Sequence, residues 1–480
     1  MMKKSVTILL LTAMLLTACT KTETPETNGS DTGDTTAADT TASTDAETEA
    51  ETEADAPKYD FGGRDYTILC RTDCAYEFVS DDGAADIVSD AVTRRNHAVE
   101  QNCNVKLNPV DIPGTWADKD AFMSTITSSV LAGDDTYQII AGYNAYITTL
   151  VTQDCLYNLY DTAIDFTKPW WYSGYNDNVS LFGKLYFSLG DASLTMWENC
   201  EVLFFNKNLM ENYGLTSPYT LVDGDTWDFD TLRTYCTAVS ADVNNDSVWD
   251  ESDTWGMLMY NKRDFPVYFE NPFCQKDENG KPYISLFSEK LTDMYTKVYQ
   301  FYQVEHGCHQ FQPDVNQQIF SEDRALFYQA PLRYASLFRD NESDFGIVPF
   351  PKCNPGQNRY YTTVLDKTSV FSIPASAKDP AFCAAVLDEL CRESTDTVIP
   401  RYYEQTLKDK YSRDTETAGM LDIVRDSIWF DCGFVYSASL NYLGAFLDVL
   451  DSDTQGVASA YAEKEQTYQA ALDTLISHLE

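Results

Sequence analysis

The chain has 480 residues and a formal net charge of -41, from 75 Asp and Glu residues against 34 Lys and Arg residues. This length exceeds what one hydrophobic core usually serves, so it predicts two lobes. The negative charge argues against nucleic acid or anionic lipid as partners, because every approach to phosphate would meet Coulomb repulsion. With 44% hydrophobic and 13% aromatic residues, the composition is that of a globular protein.

The N-terminus has the pattern of an export signal. Lys3 and Lys4 precede an apolar run over residues 6–16, which is too short to span a bilayer, and the sequence Leu-Thr-Ala-Cys19 follows. This resembles a bacterial lipoprotein signal, with residues 1–18 removed and Cys19 carrying lipid. The alternative is an ordinary secretory signal with an incidental cysteine. We therefore expect anchoring at the extracellular face of a bacterial cell membrane.

Residues 20–57 contain mostly Thr, Ala, Asp, Glu, Ser and Gly, with no aromatic residue. Such a segment cannot bury enough apolar surface to offset the entropy of ordering, so residues 19–57 are predicted to be a lipidated, disordered acidic tether. The twelve cysteines after Cys19 show no C-x-x-C spacing. Most are expected to be buried free thiols, and Cys70 and Cys74 form the first pair to test for a disulfide.

Strand and helix patterns alternate after the tether. Residues 64–70 and 105–107 are typical of strands, and apolar steps of three and four over residues 84–99 indicate a helix between them. A helix over residues 122–131 and a strand over 137–141 follow. This order predicts a mainly parallel sheet with helices on both faces. Ligands of such sheets lie beyond the carboxyl ends of the strands, which points to the loops at residues 71–77 and 143–146, including Arg71, Asp73, Tyr143 and Asn144.

Residues 183–209 hold two apolar runs, 184–189 and 202–205, separated by a polar insert that carries Trp197 and Asn199. Both runs are predicted to be buried strands. A chain that leaves one core, passes a polar aromatic patch and enters a second core is expected to cross between two lobes.

Further crossings are predicted later in the chain. The apolar segment from residue 324 leads into a polar aromatic stretch ending at residue 334, where we place the return crossing, and a third passage is expected near residues 397–403. The predicted lobes are therefore discontinuous: residues 58–190 plus 326–396 form the first, and residues 191–325 plus 397–480 form the second.

The order of these features resembles that of extracellular solute-binding proteins of carbohydrate ABC transporters, family 1, of the lipoprotein, maltodextrin-binding type. The resemblance implies a type II periplasmic-binding-protein-like α/β fold, with a ligand cleft between hinged lobes and delivery of the ligand to a permease. The stretches that carry it are DFGGRDYTIL (60–69), DDTYQIIAGY (134–143), NDN (176–178) with GKLYF (183–187), FFNKNL (204–209) and FGIVPFP (345–351).

The same resemblance implies four regions that line the cleft. Sugars present an apolar C–H face and a rim of hydroxyls, so aromatic rings beside Asp, Asn, Arg and Gln suit them. We expect Trp197→Ala to weaken ligand binding with little effect on the fold. The implied residues are Tyr143 and Asn144; Trp197 and Asn199; Asn261, Arg263 and Asp264; and Gln329, Arg333 and Tyr334.

Residues 242–253 have the spacing of a calcium loop of the EF-hand type. Carboxylate and amide oxygens occupy positions 1, 3, 5, 9 and 12, and a backbone carbonyl is available at position 7. Ser247 stands where Gly is expected, and the last ligand is Asp rather than Glu, as in the dockerin loops that this segment resembles. An acidic turn without an ion is the alternative. The predicted ligands of a structural Ca²⁺ are Asp242, Asn244, Asp246, Val248, Asp250 and Asp253.

No motif of a known catalytic class is present. The sequence lacks G-x-S-x-G, H-E-x-x-H, a P-loop and G-x-G-x-x-G, and no acid pair is singled out among the 75 carboxylates. A non-enzymatic, monomeric binding protein for an oligosaccharide is therefore predicted, without a catalytic cofactor. The alternatives are a surface glycan-binding adhesin or scaffold lipoprotein and, less favoured, a glycoside hydrolase.

Overall fold

The computed structural model of this chain describes residues 58–79, 87–339, 341–402, 415–452 and 456–479. The predicted signal peptide, Cys19 and the tether lie outside the described residues. Two sheets organise the described part, with strand orders β11-β3-β1-β2 and β10-β4-β9-β5-β8, and a small hairpin joins β6 to β7. The strands are β1 Arg64–Arg71, β2 Val105–Ile112, β3 Ile139–Tyr143, β4 Glu201–Asn206, β5 Trp255–Met259, β6 Cys274–Lys276, β7 Pro282–Ile284, β8 Cys308–His309, β9 Ala325–Pro331, β10 Phe345–Val348 and β11 Ser369–Ser372.

Helices cover both sheets, and several short 3₁₀ turns connect them. A π-helical turn, Gln300–Val304, extends α10. The α-helices are α1 Ile87–Cys103, α2 Lys119–Ala132, α3 Asn144–Ile147, α4 Ser173–Val179, α5 Thr195–Glu198, α6 Lys207–Asn212, α7 Pro218–Asp223, α8 Phe229–Val239, α9 Phe265–Tyr268, α10 Glu289–Tyr299, α11 Pro313–Ser321, α12 Pro380–Ile399, α13 Thr415–Asp426, α14 Cys432–Val435 and α15 Val457–Leu479.

The first sheet forms because apolar strands alternate with amphipathic helices. Strand β1 runs parallel to β2 and β3, with Ile68 opposite Ile139, and β11 closes the edge antiparallel to β3. Helix α1 buries one face of its surface and packs against α12. Helix α12 begins with residues typical of helix N-termini: the Asp379 side chain accepts a hydrogen bond from the Phe382 amide, and Pro380 occupies the first turn.

The second sheet contains both parallel and antiparallel pairs. Strand β4 pairs antiparallel with β10 and β9, and β9 and β8 both run parallel to β5. Strand β9 lies between β4 and β5, and all seven of its residues are buried. It is therefore a central strand, and its continuous apolar sequence is explained by burial on both faces.

The crossing predicted over residues 183–209 is confirmed, but its first apolar run, 184–189, forms isolated bridges and not the predicted strand. Ser188 forms a bridge to Phe371 in β11 of the first sheet, and the chain then enters β4 of the second sheet. We call residues 190–200 the first passage. The return crossing predicted at residues 324–334 is wrong, because that segment is the central strand β9.

The chain instead returns to the first sheet between β10 and β11. We call these residues, 349–368, the second passage. Sequence alone could not separate a central strand from a crossing strand, since both are short, apolar and buried. The third passage, predicted near residues 397–403, lies partly outside the described residues. In the described part, α12 ends at Ile399 beside the first sheet, and α13 packs against β10 of the second.

The twelve cysteines after Cys19 are all free, and every one except Cys353 is buried. This confirms the prediction of apolar thiols. Cys70 and Cys74 do not form a disulfide with each other. Among the described residues, no helix has the length and apolar composition required to cross a membrane.

Close packing between α8 and β5 predicts the effect of one substitution. A Cβ atom at Gly256 would lie 2.4 Å from the Cα atom of Cys236, so Gly256→Ala requires the helix to move off the sheet. We expect the free energy of unfolding to fall by about 2 kcal/mol or more, measured by urea denaturation.

Gly419→Ala is the matched control, because a Cβ atom at this position on α13 meets no atom within 4 Å. Alanine stabilises helices relative to glycine by about 1 kcal/mol, so this variant should be as stable as the parent or more stable. Equal stability of the two variants would contradict the close packing of α8 on β5.

Candidate functional site

A cleft opens where loops from both sheets meet the second passage and the C-terminal helical segment. It has a volume of about 320 Å³, which lies at the lower end of the range for small-molecule sites. Its lining residues are Trp116, Tyr143, Asn261, Arg263, Phe273, Leu365, Asp366, Gly433, Phe434, Ser437, Tyr442, Gly444 and Ala445. The cleft is therefore bounded by parts of the chain that are distant in sequence.

Three aromatic rings form one wall of the cleft. The Trp116 ring lies 6.3 Å from that of Tyr143 and 6.1 Å from that of Tyr442, measured between ring centroids. Trp116 is 41% exposed and Tyr442 is equally open to solvent. Exposing such rings to water costs free energy unless a ligand covers them, so this wall is a suitable platform for a flat apolar surface.

Acidic and basic groups face the rings. Tyr143 Oη donates to Asp366 Oδ1 at 3.4 Å, and burial raises the pKa of the Asp366 carboxyl to about 6. Arg263 forms an ion pair with Asp448 at 3.0 Å at the rim. Both partners of that pair are exposed, so the pair contributes little to stability and can rearrange.

A buried hydrogen-bond chain holds the loop that follows β5. The Gln329 side-chain Oε1 accepts from the backbone amides of Tyr260 and Asn261 at 2.9 and 3.2 Å, and its Nε2 donates to Tyr268 Oη at 3.0 Å. Tyr268 Oη lies 2.9 Å from the Thr363 hydroxyl in the second passage. Gln329 therefore positions Asn261 for the cleft without lining it.

The carboxyl groups of Glu201 and Asp264 lie at the two ends of this series of hydrogen bonds. The Thr363 hydroxyl donates to Glu201 Oε2 at 2.5 Å, and the fully buried Asp264 accepts from Asn261 Nδ2 at 3.1 Å. Burial raises the pKa of Asp264 well above its ordinary value, and the neighbouring Glu201 raises it further.

The structure places the predicted site residues in three groups. Tyr143, Asn261 and Arg263 line the cleft. Asn144 and Asp264 are buried behind it, and Asn144 accepts a hydrogen bond from Tyr175 at 2.8 Å.

The third group does not line the cleft: its members lie at or just after the ends of β1 and β9 and on the first passage. It contains Arg71, Asp73, Asn199, Arg333 and Tyr334, and Arg333 donates to the Asn199 side chain. The Arg333 guanidinium also lies 5.4 Å from the centre of the Tyr334 ring.

Trp197 is only 5% exposed and belongs to the hydrophobic core. Its burial conflicts with the expectation that Trp197→Ala would leave the fold unaffected. Removing a buried tryptophan leaves a cavity and costs about 3–5 kcal/mol of stability. The polar residues on either side of Trp197 in the sequence therefore do not show that its side chain is exposed.

Trp116, Asp366 and Tyr442 line the cleft and were missed from the sequence. Ligands of parallel sheets lie beyond the carboxyl ends of the strands, and this rule selected the loops after β1 and β3. Trp116 follows the carboxyl end of β2, so the same rule could have identified it. Asp366 and Tyr442 reach the cleft through tertiary packing, and no local pattern singles them out.

The loop at residues 242–253 is folded back on its own side chains. Asp242 Oδ2 accepts from the Ser247 amide at 2.9 Å, and Asp246 Oδ1 accepts from the Val248 amide at 2.7 Å. Asp253 Oδ2 accepts from the Asp250 amide at 2.9 Å. Within the described ranges, no group of three or more His, Cys, Asp and Glu side chains is arranged around a common metal position.

No protein-family model matches the chain. No curated protein matches it either.

Solved structures, in contrast, share its fold. The cyclic α-maltosyl-1,6-maltose binding protein of Arthrobacter globiformis has a TM-score of 0.56 at 13% identity, over 87% of this chain and 99% of that chain. The extracellular solute-binding protein of Staphylococcus aureus, solved with maltose, has a TM-score of 0.56 at 12% identity, over 87% of this chain and 98% of that chain.

An ABC substrate-binding protein of Listeria monocytogenes, solved with cycloalternan, has a TM-score of 0.51 at 13% identity, over 87% of this chain and 99% of that chain. At these identities the similarity concerns the fold. The predicted two-lobe, periplasmic-binding-protein-like α/β fold is thereby confirmed.

The raised pKa of Asp366 predicts a pH dependence of stability. Its pKa is about 6 in the folded state against an ordinary value of 3.8, so the folded state binds the proton more tightly. Stability is therefore lost as the pH rises from about 4 through 6. Asp366→Asn removes this loss and should raise the free energy of unfolding at pH 7.5 by about 1–2 kcal/mol, after allowance for partial solvent screening.

The melting temperature of Asp366→Asn and of the parent, recorded from pH 4 to 8, checks this expectation. The advantage of the variant should be largest at pH 7.5 and should shrink toward pH 4. Asp111→Asn, at an exposed position on β2, controls for the loss of one negative charge. A constant difference across the pH range would show that Asp366 titrates normally.

Proposed function

We propose that this protein is an extracellular solute-binding protein that captures an oligosaccharide between its lobes and delivers it to an ABC transporter permease. The observation that carries the proposal is the cleft with its wall of Trp116, Tyr143 and Tyr442, placed at the junction of the two sheets. The three similar structures named above were solved as binding proteins, two of them with maltose or cycloalternan bound.

The mechanism follows from which parts of the chain line the cleft. Tyr143 extends from the first sheet and Asn261 follows a strand of the second, so a saccharide in the cleft contacts both lobes at once. A ligand that bridges two lobes binds the closed form more tightly than the open form and shifts the population toward it. The aromatic rings cover the apolar face of the sugar. Asp366 accepts hydrogen bonds from the sugar hydroxyls, and Arg263 donates hydrogen bonds to them.

The proposal includes attachment of the chain to the outer face of the cell membrane through lipid on Cys19. Its support is the signal-like pattern of residues 1–19 in the sequence. A tether of residues 19–57, with its repelling carboxylates, holds the binding domain away from the membrane surface. We further propose that the protein acts as a monomer and performs no catalysis.

Trp116→Ala tests the ligand site, and Trp197→Ala is its matched control. Trp116 is 41% exposed, so its removal should lower the affinity for a bound oligosaccharide about ten-fold or more with little change in melting temperature. Trp197→Ala should instead lower the melting temperature by several degrees, because the ring is buried. The measurements are calorimetric titration and thermal unfolding.

The ligand for this test is found by a thermal-shift screen of oligosaccharides, monosaccharides and short peptides, since tight binding raises the melting temperature. Small-angle scattering with the bound ligand should show a decrease in radius of gyration as the lobes close. Absence of binding to every saccharide would contradict the proposed function. Binding without closure would favour the adhesin alternative.

We also propose that residues 242–253 bind one structural Ca²⁺. The support is the spacing of oxygen-bearing side chains and the backbone of Ser247, whose φ of 65° is the left-handed conformation for which glycine is usual at that position. Asp242 Oδ1 is buried and has no hydrogen-bond partner among the described residues. A cation would satisfy it.

Calorimetric titration of the purified protein with CaCl₂ tests this loop. Binding with a dissociation constant of about 10⁻⁴–10⁻³ M and a Ca²⁺-dependent rise in melting temperature are expected. Asp246→Asn should remove both, whereas Asp230→Asn, outside the loop on α8, should keep both. If the parent protein shows neither heat of binding nor a thermal shift, the loop is an acidic turn without an ion.

A further inference from the structure

The second passage carries a lysine without a partner at the point where both lobes meet. The side-chain nitrogen of Lys367 forms no hydrogen bond or ion pair with any residue in the described part of the chain. Its backbone is held in place, because the Lys367 carbonyl accepts from Arg71 Nη2 at 2.8 Å. The adjoining carbonyls of Asp366 and Thr368 accept from the amides of Ala145 and Asn144 at 3.1 and 3.0 Å.

Two further cations lie beside Lys367. Arg333, at the end of β9, donates to the neutral Asn199 side chain and has no carboxylate ion pair among the described residues. Arg71, at the end of β1, is 1% exposed, and its Nε and Nη1 atoms have no hydrogen-bond partner among these residues. Burial and the positive charge of Arg333 lower the pKa of Lys367 to about 8.

Glu198 and Asp73 lie near these cations, and the buried Glu77 also acts on Arg71. Glu198 Oε2 accepts a hydrogen bond from Tyr76 at 2.5 Å, and burial raises the pKa of the Glu198 carboxyl. Asp73 is 42% exposed and lies 3.7 Å from the Arg71 guanidinium. Asp73 therefore pairs with Arg71, whereas Lys367 and Arg333 have no carboxylate within ion-pair distance among the described residues.

We propose that the ligand is an acidic saccharide whose anionic group extends out of the cleft, past Asp366, to the adjacent cations Lys367 and Arg333. The proposal rests on the proposed function. A carboxylate or sulfate placed there relieves the repulsion between the cations and receives charge-assisted hydrogen bonds, which are stronger than those to a hydroxyl. Because Lys367 lies on the second passage and Arg333 in the second lobe, such a group also favours the closed form.

Matched pairs of acidic and neutral saccharides test the proposal by calorimetric titration of the purified protein. The pairs are trigalacturonate with its methyl ester, and glucuronosyl xylotriose with xylotriose. At least one acidic member should bind about ten-fold or more tightly than its neutral counterpart, with an affinity that falls as salt concentration rises.

Lys367→Met should remove this preference and leave the affinity for the neutral member unchanged. Lys378→Met, at an exposed position after β11, is the control and should keep the preference. The affinity for the acidic member should fall between pH 7 and 9 as Lys367 loses its proton. Four groups close to Lys367 influence this titration: Arg333, Cys74, Arg71 and Glu198.

The outcomes separate the two proposals. Neutral members that bind as tightly as acidic ones, or a Lys367→Met variant that weakens both equally, would overturn the acidic ligand while the saccharide-binding function stands. If no member of these pairs binds, and neither neutral maltotriose nor cellotriose binds, both the proposed function and the proposed acidic ligand are contradicted.

Discussion

The structure depends on the pairing of two chain passages between its sheets. The Glu201 amide donates to the Thr363 carbonyl at 2.9 Å, and the Leu365 amide donates to the Asn199 carbonyl at 3.0 Å. Both hydrogen bonds are between buried residues. If they broke without water replacing the lost partners, backbone polar groups would be left unsatisfied. This short antiparallel pair joins the two passages that connect the sheets.

Side chains next to this pair of passages reach two different regions. Leu365 and Asp366 line the cleft, while Lys367 meets Arg71 and Arg333. The segment that connects the two sheets therefore also carries charged side chains that face both regions. In the proposed function, a ligand at this segment would couple binding to lobe closure without a separate transmitting element.

Local sequence patterns predicted most of the elements that surround this junction. Hydrophobic periodicity located β1 and α1 close to their observed bounds. The same patterns could not decide which sheet a buried strand joins. Strand β9 was interpreted as a crossing for that reason, since partner choice depends on residues far away in the chain.

The sequence by itself determined the α/β class, the first passage and the loop that holds Tyr143, because side-chain periodicity and strand ends are local properties, whereas Asn261 and Arg263 came from the resemblance to sugar-binding proteins. Tertiary structure alone decided that Trp197 is buried, that Trp116 is exposed, and that Asp366 and Tyr442 join them at one cleft. Exposure and convergence depend on how two distant cores pack together, and no stretch of the chain contains that information.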